Sequence, residues 1–324
     1  MHKRFGQCTD DQMNGINQQL GLDKTCNANW FECGICSETK CPVSSWIEDF
    51  YLEDEGITED SSSFLGVSIG CNKGYDAIST ARMGMSNVEF DKNTWQSALG
   101  INNEGVCKQK NAGQPNISKP SRQGEMHCVE PMPSTFERLS SAVSALDLEN
   151  KGFVVTHAAV SASDGSIRFP SGSQGKEDVG MDFCLKRPGS KHCVDVPMYS
   201  LQSYVERFVK SKGPINILQI DVEGFDFDVL FGAGSVLDRT QYLEFEFHAV
   251  ASWGNLHMTD AVRLLDAKGF TCYWSGVKKL WRITDCYFDF YNGWHGWSNV
   301  ACVHRSQTNL ANAMEKSFLN TLKA

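Results

Sequence analysis

Two carboxylates one residue apart, Asp221 and Glu223, end the apolar run Ile215-Asn216-Ile217-Leu218-Gln219-Ile220, and Gly224 follows them. A pair so spaced either faces one pocket through a bend or lies on opposite sides of a straight strand. Burying two like charges together is costly unless a cation, a proton or hydrogen bonds offset it, so the pair reads as functional. A second alternation, Glu246-Phe247-His248, puts Glu246 and His248 on one face of a strand. An imidazole there could act as general base toward an acceptor hydroxyl, or be a satisfied structural histidine. Asp221, Glu223, Glu246 and His248 together could also hold a divalent ion that acidifies an acceptor oxygen, although the metal-free arrangement is preferred.

Three further groups could bind a nucleoside. Ser68, Gly70, Asn72 and Gly74 close the run Phe64–Ile69. Small residues let the backbone approach a nucleoside and its amino-acid tail, and the start of the helix expected from Tyr75 favours a carboxylate. The spacing is neither the dinucleotide Gly-x-Gly-x-x-Gly fingerprint nor a P-loop; its alternative use is tight packing. Glu130 follows Met126-His127-Cys128-Val129 and could accept hydrogen bonds from both ribose hydroxyls, or cap the next helix. Ser161 and Asp164 could reach an adenine edge, or form a polar turn around Ser163-Asp164-Gly165.

Each group stands where an apolar run stops. Strands are predicted at 64–69, 126–129, 153–160, 194–198, 215–221 and 242–248. Helical periodicity begins at Tyr75, Phe136 and Ser200, and again around Val229 and Val262. Strands alternating with helices predict the α/β class, a Rossmann-like mostly parallel sheet covered on both faces. The runs 272–283 and 297–303 predict an antiparallel C-terminal edge hairpin. In such sheets ligands bind beyond the carboxyl ends of the strands, where the candidates lie. Residues 84–125 and 170–193 are polar and read as an inserted region with one helix and a surface excursion. The division expected is a cysteine-rich extension or cap at 1–60, a main domain at 61–310 and a tail at 311–324.

The chain has 324 residues, 41% of them hydrophobic, enough for a packed core without metal or disulfide staples. No apolar run is long enough for a membrane-spanning helix, and Met1–Gly6 lacks the apolar run of a signal peptide. A net charge of −9 lacks the diffuse positive field that holds a phosphate backbone, so nucleic acid is a disfavoured partner. Of thirteen cysteines, Cys8, Cys26, Cys33, Cys36 and Cys41 crowd the first segment. Disulfides are the first reading, with free thiols and a zinc site at Cys33-Gly34-Ile35-Cys36 as alternatives. The sequon Asn116-Ile117-Ser118 fits a secretory history. Trp274, Trp281, Trp294 and Trp297 could stack on a sugar, though tryptophans at strand positions are more often core.

Taken in order, these positions resemble the FkbM-type methyltransferase family, a branch of the S-adenosylmethionine-dependent Rossmann-like enzymes. The strongest element is Ile220-Asp221-Val222-Glu223-Gly224-Phe225 followed by Val229-Leu230-Phe231-Gly232-Ala233. Glu130-Pro131-x-Pro133, Ala158-Ala159-Val160-Ser161 and Gly70-x-Asn72-x-Gly74 also fit in the family's order. The tail around Cys272-Tyr273-Trp274, Leu280-Trp281-Arg282 and Trp297–Val300 resembles eukaryotic members of the secretory pathway, which favours the Golgi lumen or secretion over the cytoplasm. The resemblance implies a class I methyltransferase fold and S-adenosyl-L-methionine as cofactor, with a sugar, glycan or small natural product as acceptor of a methyl group on a hydroxyl oxygen. With the residue chemistry above, it leads to the expectation of cofactor contacts from Ser68, Gly70, Asn72, Gly74, Glu130, Ser161 and Asp221 and catalytic roles for Asp221, Glu223 and His248, with a divalent metal possible but not favoured. Three departures stand out: Ser68 replaces the family's usual Asp, the stretch from Gly74 to Glu130 is long, and the first sixty residues have no counterpart. They motivate an alternative, an inactive lumenal or secreted binding protein on the same fold. A nicotinamide-dependent oxidoreductase is disfavoured by the glycine spacing.

Overall fold

The computed structural model describes residues 5–22, 34–39, 47, 50–51, 63–85, 87–88, 92–101, 123–172, 184, 186–187, 189–247, 251–293 and 296–324. In chain order the elements are α1 (Asp10–Leu20), α2 (Gly34–Thr39), β1 (Ser63–Ile69), α3 (Tyr75–Gly84), α4 (Lys92–Leu99), β2 (Gln123–Glu130), α5 (Pro133–Ala145), β3 (Phe153–His157), β4 (Ala159–Ser161), β5 (Gly165–Pro170) and β6 (Cys193–Ser200). They continue with α6 (Leu201–Phe208), β7 (Ile215–Ile220), α7 (Asp226–Phe231), β8 (Thr240–Phe247), α8 (Met258–Ala267), β9 (Phe270–Gly276), β10 (Lys279–Arg282), α9 (Phe290–Gly293), β11 (Ser298–His304) and α10 (Thr308–Thr321). The chain divides into two units, Ile57–Thr240 and the combination of Met1–Gly56 with Gln241–Ala324.

In the Ile57–Thr240 unit, four parallel strands run in the order β7-β1-β2-β3. Almost every side chain of β1 and β7 is buried, as central strands covered on both faces require. The register aligns the strand ends: Ile69 stands beside Val129 on one side and Ile220 on the other, and Glu130 stands beside His157. Helices start where local chemistry allows. Pro133 opens α5, where its missing N–H costs nothing, and the Ser200 hydroxyl accepts the Ser203 N–H to cap α6.

The single strand expected at 153–160 is two strands in two sheets. β3 ends at His157, and β4 pairs in parallel with β6, which pairs antiparallel with β5 in a separate three-stranded sheet. The two halves differ in burial: β3 buries Phe153 and exposes Val154, whereas β4 buries Ala159 and Val160. Val196 and Phe169 of this small sheet join Met132 in a buried cluster, against which Ile167 and Phe225 pack.

The other unit holds a run of four antiparallel strands, in the order β10-β9-β11-β8. The run 272–283 turns back on itself, with Lys278 at φ +58°, so the C-terminal hairpin is β9–β10 and β11 returns beside β9. Trp274 and Trp281 are core residues here, while Trp294 lies outside the described residues. The segment 311–324 falls largely in α10, which buries Leu310, Met314 and Phe318. Together the strands and helices give the α/β class expected, with the parallel strands in one unit and antiparallel strands toward the C-terminus.

Disulfides Cys71–Cys128 and Cys184–Cys193 lie in the Ile57–Thr240 unit, and Cys8–Cys286 and Cys272–Cys302 in the other. Cys26, Cys33, Cys41 and the sequon at Asn116 lie outside the described residues, whereas Cys36 is buried on α2. Among the described residues no helix is long and apolar enough to cross a membrane.

Candidate functional site

The site begins with the turn after β1. The Gly70 and Cys71 N–H groups both donate to the Val129 carbonyl at 3.0 Å, and the Asp221 N–H donates to the Ile69 carbonyl at 2.9 Å. Three strand ends are thereby laced together. Gly70 has φ +78°, and a side chain there would run into the Asp221 carbonyl, so the turn needs glycine on two counts. Gly74 has φ +72°, and a Cβ there would meet Trp95 at 2.8 Å and Leu139 at 2.9 Å. The Trp95 indole N–H donates to the Lys73 carbonyl at 2.9 Å. Helix α4, inside the inserted stretch, thus supports the turn from beneath.

Glu130 joins the turn after β1 to the start of α5. It is 6% exposed. Its Oε2 accepts the Asn72 N–H and its Oε1 the Met132 N–H, each at 2.8 Å. Burial pushes its carboxyl up to about 7; the Met132 and Asn72 N–H groups pull it down, and the charge of Asp221 pushes it up again. One carboxylate therefore clamps both the glycine turn and the residue before α5. Each oxygen still has a second lone pair available to a ligand hydroxyl. Behind it, the His157 Nε2–H donates to the Pro131 carbonyl at 3.0 Å while its ring stacks on Phe136.

Beyond β7 the chain bends instead of continuing as a straight strand through Asp221 and Glu223. Glu223 has φ +56°, an uncommon conformation for a residue with a side chain. Asp221 is exposed and Glu223 half-buried, so the burial cost does not fall on this pair. It falls on Glu130 and on Asp226, which is fully buried. The Asp226 carboxylate accepts the Val222 N–H at 3.4 Å and the Gly224 N–H at 3.3 Å, and so fixes the bend.

Gly70, Asn72, Glu130 and Asp221 therefore converge at adjacent strand ends within one unit. Ser68 is buried in β1 between Cys128 and Gln219. Ser161 is half-buried at the end of β4, its carbonyl against Gly232. Asp164 belongs to the polar turn: its Oδ1 accepts the Ser200 N–H at 2.9 Å and its Oδ2 pairs with Arg207 at 3.0 Å. Glu246 is a buried residue of the other unit whose carboxylate accepts the Trp297 indole N–H. His248 lies outside the described residues. Among the described residues no three His, Cys, Asp or Glu side chains are grouped to hold a metal ion. Trp95, Asp226 and the Cys71–Cys128 bridge escaped the sequence reading, though Asp226 stands only two residues past Gly224.

The family model of the methyltransferase FkbM domain matches residues 110–272, half of the chain. The chain belongs to the FkbM methyltransferase family. The matched region of this FkbM chain includes Glu130, Ser161, Asp221 and Glu223; the turn from Ser68 to Gly74 precedes it. Similar solved structures include methyltransferase FkbM from Methylobacillus flagellatus KT, at 11% identity and a TM-score of 0.44, covering 91% of this chain and 56% of that one. The METTL16 methyltransferase domain aligns at 10% identity and a TM-score of 0.34, covering 80% of this chain and 65% of its own. Human methyltransferase 10 domain containing protein aligns at 8% and 0.33, covering 90% and 93%. The chain thus spans little more than half the length of the bacterial FkbM structure. No curated protein sequence matches it.

Proposed function

We propose that this FkbM chain binds S-adenosyl-L-methionine at the Gly70–Glu130–Asp221 crevice and methylates a hydroxyl oxygen of a sugar, glycan or small natural product. The observation that carries the cofactor reading is the buried Glu130 carboxylate, with free lone pairs and the negative charge of Asp221 beside it. Such a crevice suits a nucleoside with a cationic tail and repels the pyrophosphate of a dinucleotide. The residues present fit the cofactor, which when bound supplies a methyl group on a sulfonium. Glu130 holds the two ribose hydroxyls. The glycine turn admits the amino-acid tail close to the backbone. Asp221 faces the cationic end, and Glu223, at the bend, accepts the proton of the acceptor hydroxyl. Ser68 and Ser161 complete the proposed cofactor contacts. The four disulfides among the described residues support an oxidising compartment as the place of work.

The test has two parts. Calorimetry with S-adenosylhomocysteine should show binding that Asp221→Asn weakens or that leaves turnover abolished in a folded protein. Tritium transfer from labelled cofactor to a panel of sugars, glycans and phenols should then yield an O-methyl product. Binding without transfer to any member would favour the inactive binding protein. Transfer only to nitrogen or sulfur would overturn the hydroxyl assignment.

A further inference from the structure

We propose that the Cys71–Cys128 disulfide is a positioning element of the cofactor site, keeping the Asn72 N–H on the Glu130 carboxylate; this rests on the cofactor reading above. Cys71 lies inside the glycine turn, between Gly70 and Asn72. Cys128 lies two residues before Glu130 on the same face of β2. The bridge ties together the two segments whose side chain and backbone meet in the Asn72–Glu130 hydrogen bond. Both cysteines are buried, so the crosslink is part of the floor of the crevice.

The turn needs such a tie because Asn72 stands at φ +45°. Asparagine enters that left-handed region more readily than other residues with a side chain but gains little by staying there, so a crosslink beside it limits the alternatives. Gly70 and Cys71 remain bonded to Val129 by backbone alone, but neither bond restrains Asn72. Release of Asn72 removes one of the two N–H partners of a buried carboxylate, which is expensive to leave unmade. The ribose hydroxyls would then meet a carboxylate with altered position and hydration. Cys184–Cys193 joins the excursion to the first residue of β6, so it serves as an internal control.

If cofactor and disulfide favour the same turn, each must strengthen the other by the same factor. The wild-type chain can report this without substitution. Dithiothreitol gives two electrons and two protons to the S–S bond, leaving two cysteine thiols and its own cyclic disulfide. The chain is equilibrated in reduced and oxidised dithiothreitol with or without saturating S-adenosylhomocysteine, then alkylated, and each cysteine pair is quantified by mass spectrometry. Bound S-adenosylhomocysteine is expected to make Cys71–Cys128 at least tenfold harder to reduce, a shift of about 30 mV, while Cys184–Cys193 stays where it was. In parallel, the folded Cys71→Ser/Cys128→Ser variant should bind S-adenosylhomocysteine about tenfold more weakly by calorimetry. Should the wild type bind the ligand while its Cys71–Cys128 equilibrium does not move, the bridge is structural and the proposal is overturned. Should the oxidised wild type fail to bind at all, it is the cofactor reading that falls.

Discussion

Glu130 carries a cost that can be read with pH. Its ordinary carboxyl value is 4.5 and in the fold it is about 7. Below pH 4.5 the group is protonated folded or unfolded and costs nothing. As pH rises toward 7 the unfolded chain gives up the proton first, so the folded state loses roughly 3 kcal/mol relative to its acid limit. A ligand whose ribose hydroxyls donate to the carboxylate needs it ionised. Affinity for S-adenosylhomocysteine should therefore fall as pH drops below about 7, by up to tenfold per unit, and be level above it. Glu130→Gln should bind more than tenfold more weakly at pH 8 and show a flat profile between pH 5.5 and 8 by calorimetry. A steep profile in that variant would move the titration to another group. Glu130 was legible because an acidic residue ends an apolar run. Asp226 was not, since its role exists only once the chain bends at Glu223.

At the scale of elements, α4 shows what the long link between β1 and β2 does. Trp95 is buried against Gly74 and holds the Lys73 carbonyl. Trp95→Ala should lower stability by about 3–5 kcal/mol, the usual loss for a large buried aromatic, and weaken S-adenosylhomocysteine binding with it. Trp95→Phe keeps the bulk and loses one hydrogen bond, so about 1 kcal/mol is expected. Urea unfolding checks both values; equal losses in the two would mean the indole N–H, not the packing, supports the turn. Nothing in the polar sequence around Trp95 signals that it meets a turn some twenty residues earlier. The strands were easier: β7 and β8 are dense in Ile, Leu, Phe and Tyr, and a short apolar run bounded by polar residues has few other uses. β5 carries only a weak apolar rhythm, because Ser166 and Arg168 alternate with Ile167 and Phe169 of the buried cluster and Gly165 adds no side chain.

For the molecule as a whole, the parallel strands and the turns that follow them lie within one continuous stretch of sequence, so the order of motifs alone placed the strands along the chain. The second unit is discontinuous, and its composition from both chain ends leaves no local trace. Cys8–Cys286 joins those ends. Cys8→Ala/Cys286→Ala should cost the unit about 2–5 kcal/mol, followed through tryptophan fluorescence in urea, since Trp253, Trp274 and Trp281 all report on that unit. An unchanged midpoint would mean that the bridge itself adds nothing to its stability.

The distance along the chain between these two cysteines, 278 residues, also sets a problem of timing. At ordinary elongation rates a ribosome delivers Cys8 roughly 15–55 s before Cys286. During that interval the early thiol meets Cys26, Cys33, Cys36, Cys41 and Cys71 first. Correct pairing then requires either that Cys8 wait unreacted or that a wrong early bond be exchanged, and thiol–disulfide exchange would set the pace in the second case.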